Sequence, residues 1–263
     1  MPLVDLNGTL GESFGAWQKG MDEAMLRIVS SASVACGMHA GDPLVMQTTV
    51  ASARRVGACI GAEIGYPDLQ GYGQRDLSMT PYEIYVYSLY QIGALTAICR
   101  ANGVRLDYVK PHGALYRRGF QELAVAKSIA RAIRDTDKDV ILVGPRGSVF
   151  EEAAAGNDIP FVSEVFADRG YREDGTLIPK GERGDVVSNP TVAAERMLRL
   201  LQENTVEGSE GKPLTIGVHG DSPNATKVAF AVKEALEANG FTMAGLRSLV
   251  YITNTLDKEE SSA

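Results

Sequence analysis

Apolar residues fall into short runs, separated by longer stretches in which they recur at helical spacing. Seven runs can be counted: Leu3 to Asn7, Ser33 to His39, Ala58 to Gly65, Leu106 to His112, Val140 to Pro145, Phe161 to Asp168 and Thr215 to Asp221. This alternation predicts a parallel sheet with crossover helices. Two helices have explicit start signals, Asp42-Pro43 and Thr80-Pro81-Tyr82-Glu83, where a capping side chain directly precedes proline at the first helical position. Gly57, Gly103, Gly156 and Gly240 each follow a periodic stretch, as left-handed C-terminal caps would. Residues 208–213 (GSEGKP) read as a flexible polar connection and residues 254–263 as a frayed tail, leaving one domain over residues 1–253.

Composition narrows the class. The 263 residues are 44% hydrophobic and 22% charged, which fits a soluble globular chain and excludes general disorder. Barrels of alternating strands and helices often run to about 250 residues as one unit. With 33 acidic against 26 basic residues the net charge is -7, so no broad basic surface exists for nucleic acid. No apolar run approaches the ~20 residues of a membrane span, and MPLVDLNGTL lacks the basic and apolar regions of a signal peptide, so the chain reads as cytoplasmic with no membrane partner. Three cysteines, Cys36, Cys59 and Cys99, without CxxC spacing, read as reduced packing residues.

The candidate chemistry lies at the strand ends. The only three histidines, His39, His112 and His219, each close a predicted strand. The carboxyl ends of parallel strands form the rim where ligands bind, so three imidazoles there can meet in one cleft. A single histidine so placed is commonly just a buried ring bonded to a loop carbonyl; a set of three points to a site. Carboxylates accompany them: Asp5 with Asn7 in the first strand, Glu12, Asp42, Glu164, Asp168 and Asp221. Beside imidazoles such groups orient the ring, hold a divalent metal, or share acid and base work, and composition leaves all three open. Asp42 has a plain alternative as the cap of the helix at Pro43. Lys110 stands two residues before His112, on the same strand face, and suits an anionic substrate or oxyanion. Arg169 would present its planar fork to a substrate carboxylate or pair with Asp168. No GxxxxGK[ST], GxGxxG or GxSxG motif is present, so nothing local reports a nucleotide site or a nucleophilic serine.

Seven ordered segments then resemble the LamB/YcsF family over about residues 3–245: DLNGTLGESFG at Asp5 to Gly15, SASVACGMHAGDP at Ser31 to Pro43, GYPDLQGYGQR at Gly65 to Arg75, YQIGAL at Tyr90 to Leu95, VKPHGALY at Val109 to Tyr116, EVFADRGY at Glu164 to Tyr171 and VHGD at Val218 to Asp221. The resemblance implies an α/β fold, a distorted seven-stranded β/α barrel of the glycoside hydrolase and deacetylase type. It also implies ATP-dependent opening of 5-oxoproline to L-glutamate, with ATP as co-substrate and 5-oxoprolinase subunits B and C as partners. Two positions depart from the family pattern. DLNADLGE becomes DLNGTLGE, putting Thr9 where a carboxylate is expected, and GAHPGYPD becomes GAEIGYPD, putting Glu63 where a histidine is expected. Glu63 would restore the charge absent at Thr9, provided the two lie within about 10 Å.

The catalytic candidates are therefore Asp5, His39, Lys110, His112 and Glu164, with Asn7, Glu63, Tyr116, Arg169, His219 and Asp221 in substrate contact. In the leading reading a carboxylate or imidazole activates water, Lys110 steadies negative charge on oxygen, Arg169 grips a carboxylate, and partners handle ATP. One alternative is a metal-dependent hydrolase or deacetylase acting on another lactam or amide, with Asp5, His39 and His219 or His112 around zinc or another divalent ion. The other is a non-catalytic binding subunit whose site has diverged at Thr9 and Glu63.

Overall fold

The computed structural model describes residues 2–172, 176–178, 181–202, 214–222 and 224–252; the expected connection at 208–213 and tail at 254–263 lie outside the described residues. Each predicted run overlaps one strand: β1 (Leu3–Leu10), β2 (Ser31–Ala35), β3 (Cys59–Ile64), β4 (Tyr108–Pro111), β5 (Ile141–Pro145), β6 (Phe161–Phe166) and β7 (Leu214–Val218), with β1 running three residues past its run and β2 starting two before its own. Neighbours pair in parallel in chain order, and β1 pairs with both β7 and β2, which closes a seven-stranded barrel. The barrel is distorted between β4 and β5, which share only the pairs Tyr108↔Ile141 and Val109↔Leu142. A further strand, β8 (Thr242–Met243), lies beside Leu3 and Val4. Two residues carry no readable period, so the sequence does not predict it.

The outer face of the barrel supplies the main core. Leu6, Leu10, Ile60, Ile64, Val109, Leu142, Ile216 and Val218 are buried in one cluster with helical residues such as Ile92, Leu95, Ile129 and Val232. Each fully buried aliphatic side chain of this kind contributes ~2 kcal/mol. The inner face is divided by height. At the N-terminal end Tyr108, Ile141, Val143 and Val162 pack with Leu246, from the helical turn at 246–252, into an apolar plug. Above it the interior is polar, because alternate residues of β1, Asp5, Asn7 and Thr9, bond to one another's neighbours across the barrel.

Besides the helical turn at 246–252, the strands are surrounded by α1 (Asp22–Leu26), α2 (Pro43–Val56), α3 (Pro81–Ala101), α4 (Gly113–Gly119), α5 (Leu123–Thr136), α6 (Val149–Ala155), α7 (Pro190–Gln202) and α8 (Ala225–Ala238). Asp42 caps α2 by accepting from the amides of Leu44 (2.8 Å) and Val45 (3.1 Å), so the plain reading of this residue holds. Thr80 and Glu83 form a reciprocal capping box on α3. Gly57, Gly103 and Gly240 take the left-handed conformation expected of them; Gly156 does not, at φ -68°, and Asp158, at φ 54°, makes the left-handed turn instead. Cys36 and Cys99 are buried free thiols. No helix among the described residues is long and apolar enough to cross a membrane.

Candidate active site

At the C-terminal ends of the strands the barrel opens into a cavity of about 1150 Å³. Six of the residues singled out from the sequence line it: Glu63, Lys110, His112, Tyr116, Arg169 and His219. They come from β3, β4, α4 and the segments after β6 and β7, elements distant in sequence that closure of the barrel brings together.

Lys110 and Glu164 form the floor. The Lys110 ammonium donates to Glu164 Oε1 at 2.6 Å and to Asn7 Oδ1 at 3.0 Å, and both charged side chains are almost wholly buried. Asn7 Nδ2 adds a bond to Glu164 Oε1 at 3.0 Å, and the Tyr116 hydroxyl donates to Oε2 at 3.3 Å. Every oxygen of Glu164 is thus engaged, as a charge removed from water requires. Burial, reinforced by the Glu164 charge, keeps the Tyr116 phenol well above its ordinary pKa, so it stays a donor.

On one wall the His39 and His112 rings stack in parallel, 4.0 Å apart. His112 Nε2 lies 2.9 Å from the Tyr72 carbonyl and Nδ1 lies 3.3 Å from Glu63 Oε1. Glu63 Oε1 also accepts from the Thr9 hydroxyl at 3.2 Å, so the two departures from the family pattern are in direct contact. His39 sits behind, 1% exposed, with its Nε2 4.0 Å from Glu63 Oε2. Burial, then the neighbouring His112, pushes its pKa well down, leaving the ring neutral. The glycine-rich loop at 65–73 presses on this pair. A Cβ on Gly65 would come within 2.5 Å of His39 Nδ1, and Gly73, at φ +65°, leaves a Cβ no room against either ring.

The opposite wall carries a carboxylate–imidazole pair. Asp168 lies 3.1 Å from His219 Nδ1 and accepts the His219 amide at 2.9 Å. Burial works against the Asp168 carboxylate, yet the His219 ring and amide hold its pKa below the usual range. The pairing places the ring proton on Nδ1 and leaves Nε2 as the acceptor. The Phe166 ring stacks on His219 at 5.0 Å and lies 4.9 Å from the Lys110 ammonium, linking floor to wall.

Several expectations are corrected. Asp5 does not reach the rim: it lies fully buried near the N-terminal end of the barrel, accepting from Ser30 (2.7 Å), Ser31 (2.6 Å) and Thr215 (2.5 Å). Period-two alternation puts it on the inner face but says nothing of its height. Burial pushes its pKa up to about 6. Asn7, one layer higher, is fully buried beneath the cavity and ties Lys110, Glu164 and Thr215 together. The grouping of Asp5 and His39 with His219 or His112 around a metal loses Asp5; the donors that lie within 4.8 Å of one another are His39 and His112 with Glu12 and Glu63. Arg169 does not pair with Asp168. Its Nε and Nη2 donate to the carbonyls of Asp185 and Ile178, fixing the loop beyond β6 while the side chain lines the cavity. Asp221 pairs with Lys19 at 3.5 Å.

Sequence reasoning misses Tyr72, whose carbonyl meets His112, and Gln74, 3.2 Å from the same ring nitrogen. It also misses Arg196, which donates to the carbonyls of Phe166, Ala167 and Arg169 and so sets the turn bearing Asp168. Loop carbonyls leave no signature in composition; the run of glycines around Tyr72 is the one available hint.

The model of the LamB/YcsF family matches residues 4–250. The chain belongs to this family. Among LamB/YcsF relatives, a Pyrococcus abyssi protein named as the A subunit of 5-oxoprolinase is 42% identical over 252 residues, covering 94% of this chain and 99% of that protein. A solved structure, that of a lactam utilization protein from Thermus thermophilus, is 40% identical with a TM-score of 0.85, covering 94% of this chain and all of that one. The peptidoglycan deacetylase PdaC of Bacillus subtilis shares the barrel, with a TM-score of 0.52 at 12% identity over 99% of this chain and 96% of that one. The LamB/YcsF barrel is thus of the deacetylase type, as the resemblance implied.

Proposed function

We propose that this chain is the lactam-opening A subunit of a 5-oxoprolinase, working with partner subunits B and C that handle ATP. The observation that carries this reading is full-length likeness to proteins named for that activity, together with a cavity that gathers a buried ammonium, a carboxylate-paired imidazole and cationic side chains. A five-membered lactam is an unreactive amide, and a phosphoryl group on its oxygen makes the ring carbon electrophilic. Water then adds to that carbon, the C–N bond breaks with a proton going to nitrogen, and a second water hydrolyses the resulting acyl phosphate to glutamate and phosphate. His219 Nε2, oriented by Asp168, takes the proton from water. Lys110 steadies the developing negative oxygen and is held in place by Glu164 and Asn7. Arg117 and Arg169 on the cavity wall suit the substrate carboxylate. The sequence leaves Asp5, Glu164, His39 and His112 open as the base; His219 is preferred because its imidazole lines the cavity and is oriented by Asp168, whereas Asp5 does not line it.

The test is reconstitution: the chain mixed with its candidate partners, 5-oxoproline and ATP, with glutamate and phosphate followed together. Glutamate is expected only when this chain is present. Equal glutamate formation in its absence would contradict the reading.

A further inference from the structure

Two buried carboxylates, Glu12 and Glu63, face the stacked imidazoles, and among the described residues neither forms an ion pair with lysine or arginine. The Lys19 ammonium lies 3.1 Å over the Tyr72 ring and pairs with Asp221. Three atoms in this cluster are buried with no hydrogen-bond partner among the described residues: Nδ1 and Nε2 of His39, and Oε2 of Glu63. A wholly buried, doubly orphaned imidazole is rare, since nearly all buried polar groups find a hydrogen-bond partner.

We propose that Glu12, His39, Glu63 and His112 form a binding site for one divalent cation of the zinc class on the wall of the cavity. The four donors come within 4.8 Å of one another from four segments: Glu12 just past β1, His39 past β2, Glu63 on β3 and His112 past β4. Two imidazoles and two carboxylates suit a borderline ion such as Zn²⁺ or Co²⁺; Ca²⁺ would ask for six or more oxygens. A double positive charge would neutralise the two buried carboxylates that face the rings. The parallel rings, 7° from coplanar orientation, do not aim their lone pairs at a common point. His39 is held by no hydrogen bond, so its ring is the one that turns to close on the ion, while His112 stays near the Tyr72 carbonyl. Glu63 and His112 also line the cavity, which leaves the ion open to a ligand from that side.

Metal content is read without substrate, so this inference and the lactam reading fail separately. The tag-free chain, stripped by chelator and dialysed against Zn²⁺ or Co²⁺, is expected to hold one equivalent by elemental analysis. The Co²⁺ form should show visible absorption bands of a low-symmetry nitrogen and oxygen site. His39→Ala and Glu63→Gln are expected to bind at least tenfold more weakly, with circular dichroism unchanged; should His39→Ala not fold, His39→Gln is read in its place. No ion held above the buffer level would overturn the proposal. So would an ion kept by both variants, or one lost on Asp168→Asn but kept on Glu63→Gln.

Discussion

Lys110 is the residue on which the floor of the cavity and the proposed chemistry both rest. Removing one partner of a buried pair strands the other charge, so Lys110→Met should lower stability by about 3–5 kcal/mol. The double variant Lys110→Met/Glu164→Gln should recover most of that loss, because no charge is left unpaired. Urea unfolding of the three proteins checks this, and strictly additive losses would count against the pairing. Asp5 makes a different demand. Its carboxyl has an ordinary pKa of 3.8 and is raised to about 6 by burial, so between those values the folded chain holds a proton that the unfolded chain has lost. The resulting stabilisation is fully present below pH 3.8 and disappears as pH rises through about 6, a swing of ~3 kcal/mol. Asp5→Asn should flatten this part of the stability curve; an unchanged slope from about pH 4 to 7 would refute a raised Asp5. At the opposite wall, Asp168→Asn removes the group that fixes the His219 tautomer. Turnover by the reconstituted complex should fall about 10–100-fold, the usual effect of losing such an orienting carboxylate.

At the scale of elements, strand and cap signals were legible and heights were not. The runs showed as strands because their outward residues pack on helices while inward polar residues interrupt them, as in Leu6 between Asp5 and Asn7. Asp42 and Thr80 were legible because a cap is local chemistry, settled within three residues. Asp42 also accepts the Gly15 amide at 2.6 Å, so it ties the segment after β1 to α2. Asp42→Ala should therefore cost about 1–2 kcal/mol in a urea titration; no measurable change would show the cap to be idle. By contrast, alternation could not tell Asp5 from Thr9, which share a face but sit two layers apart. Nor could it foresee that His39 lies four residues beyond β2, where a loop rather than a strand aims it. Gly156 carries the sequence signal of a left-handed cap, but the chain delays that turn to Asp158.

For the whole molecule, closure of the barrel turns seven separate strand ends into one mouth, and that was readable from the seven runs and the family segments together. Of the pairings around the mouth, only the nearness of Thr9 and Glu63 was legible; those of Asp168 with His219 and Lys110 with Glu164 join segments whose order in the chain says nothing of their facing. The central claim is that the lactam opens in this cavity, over the Lys110 ammonium. The most direct measurement is glutamate formation by the complex rebuilt with Lys110→Met/Glu164→Gln in place of the unaltered chain. Removal of an oxyanion donor typically costs ~3 kcal/mol, so glutamate should form roughly a hundredfold or more slowly with the chain still folded. Undiminished glutamate formation would contradict the account.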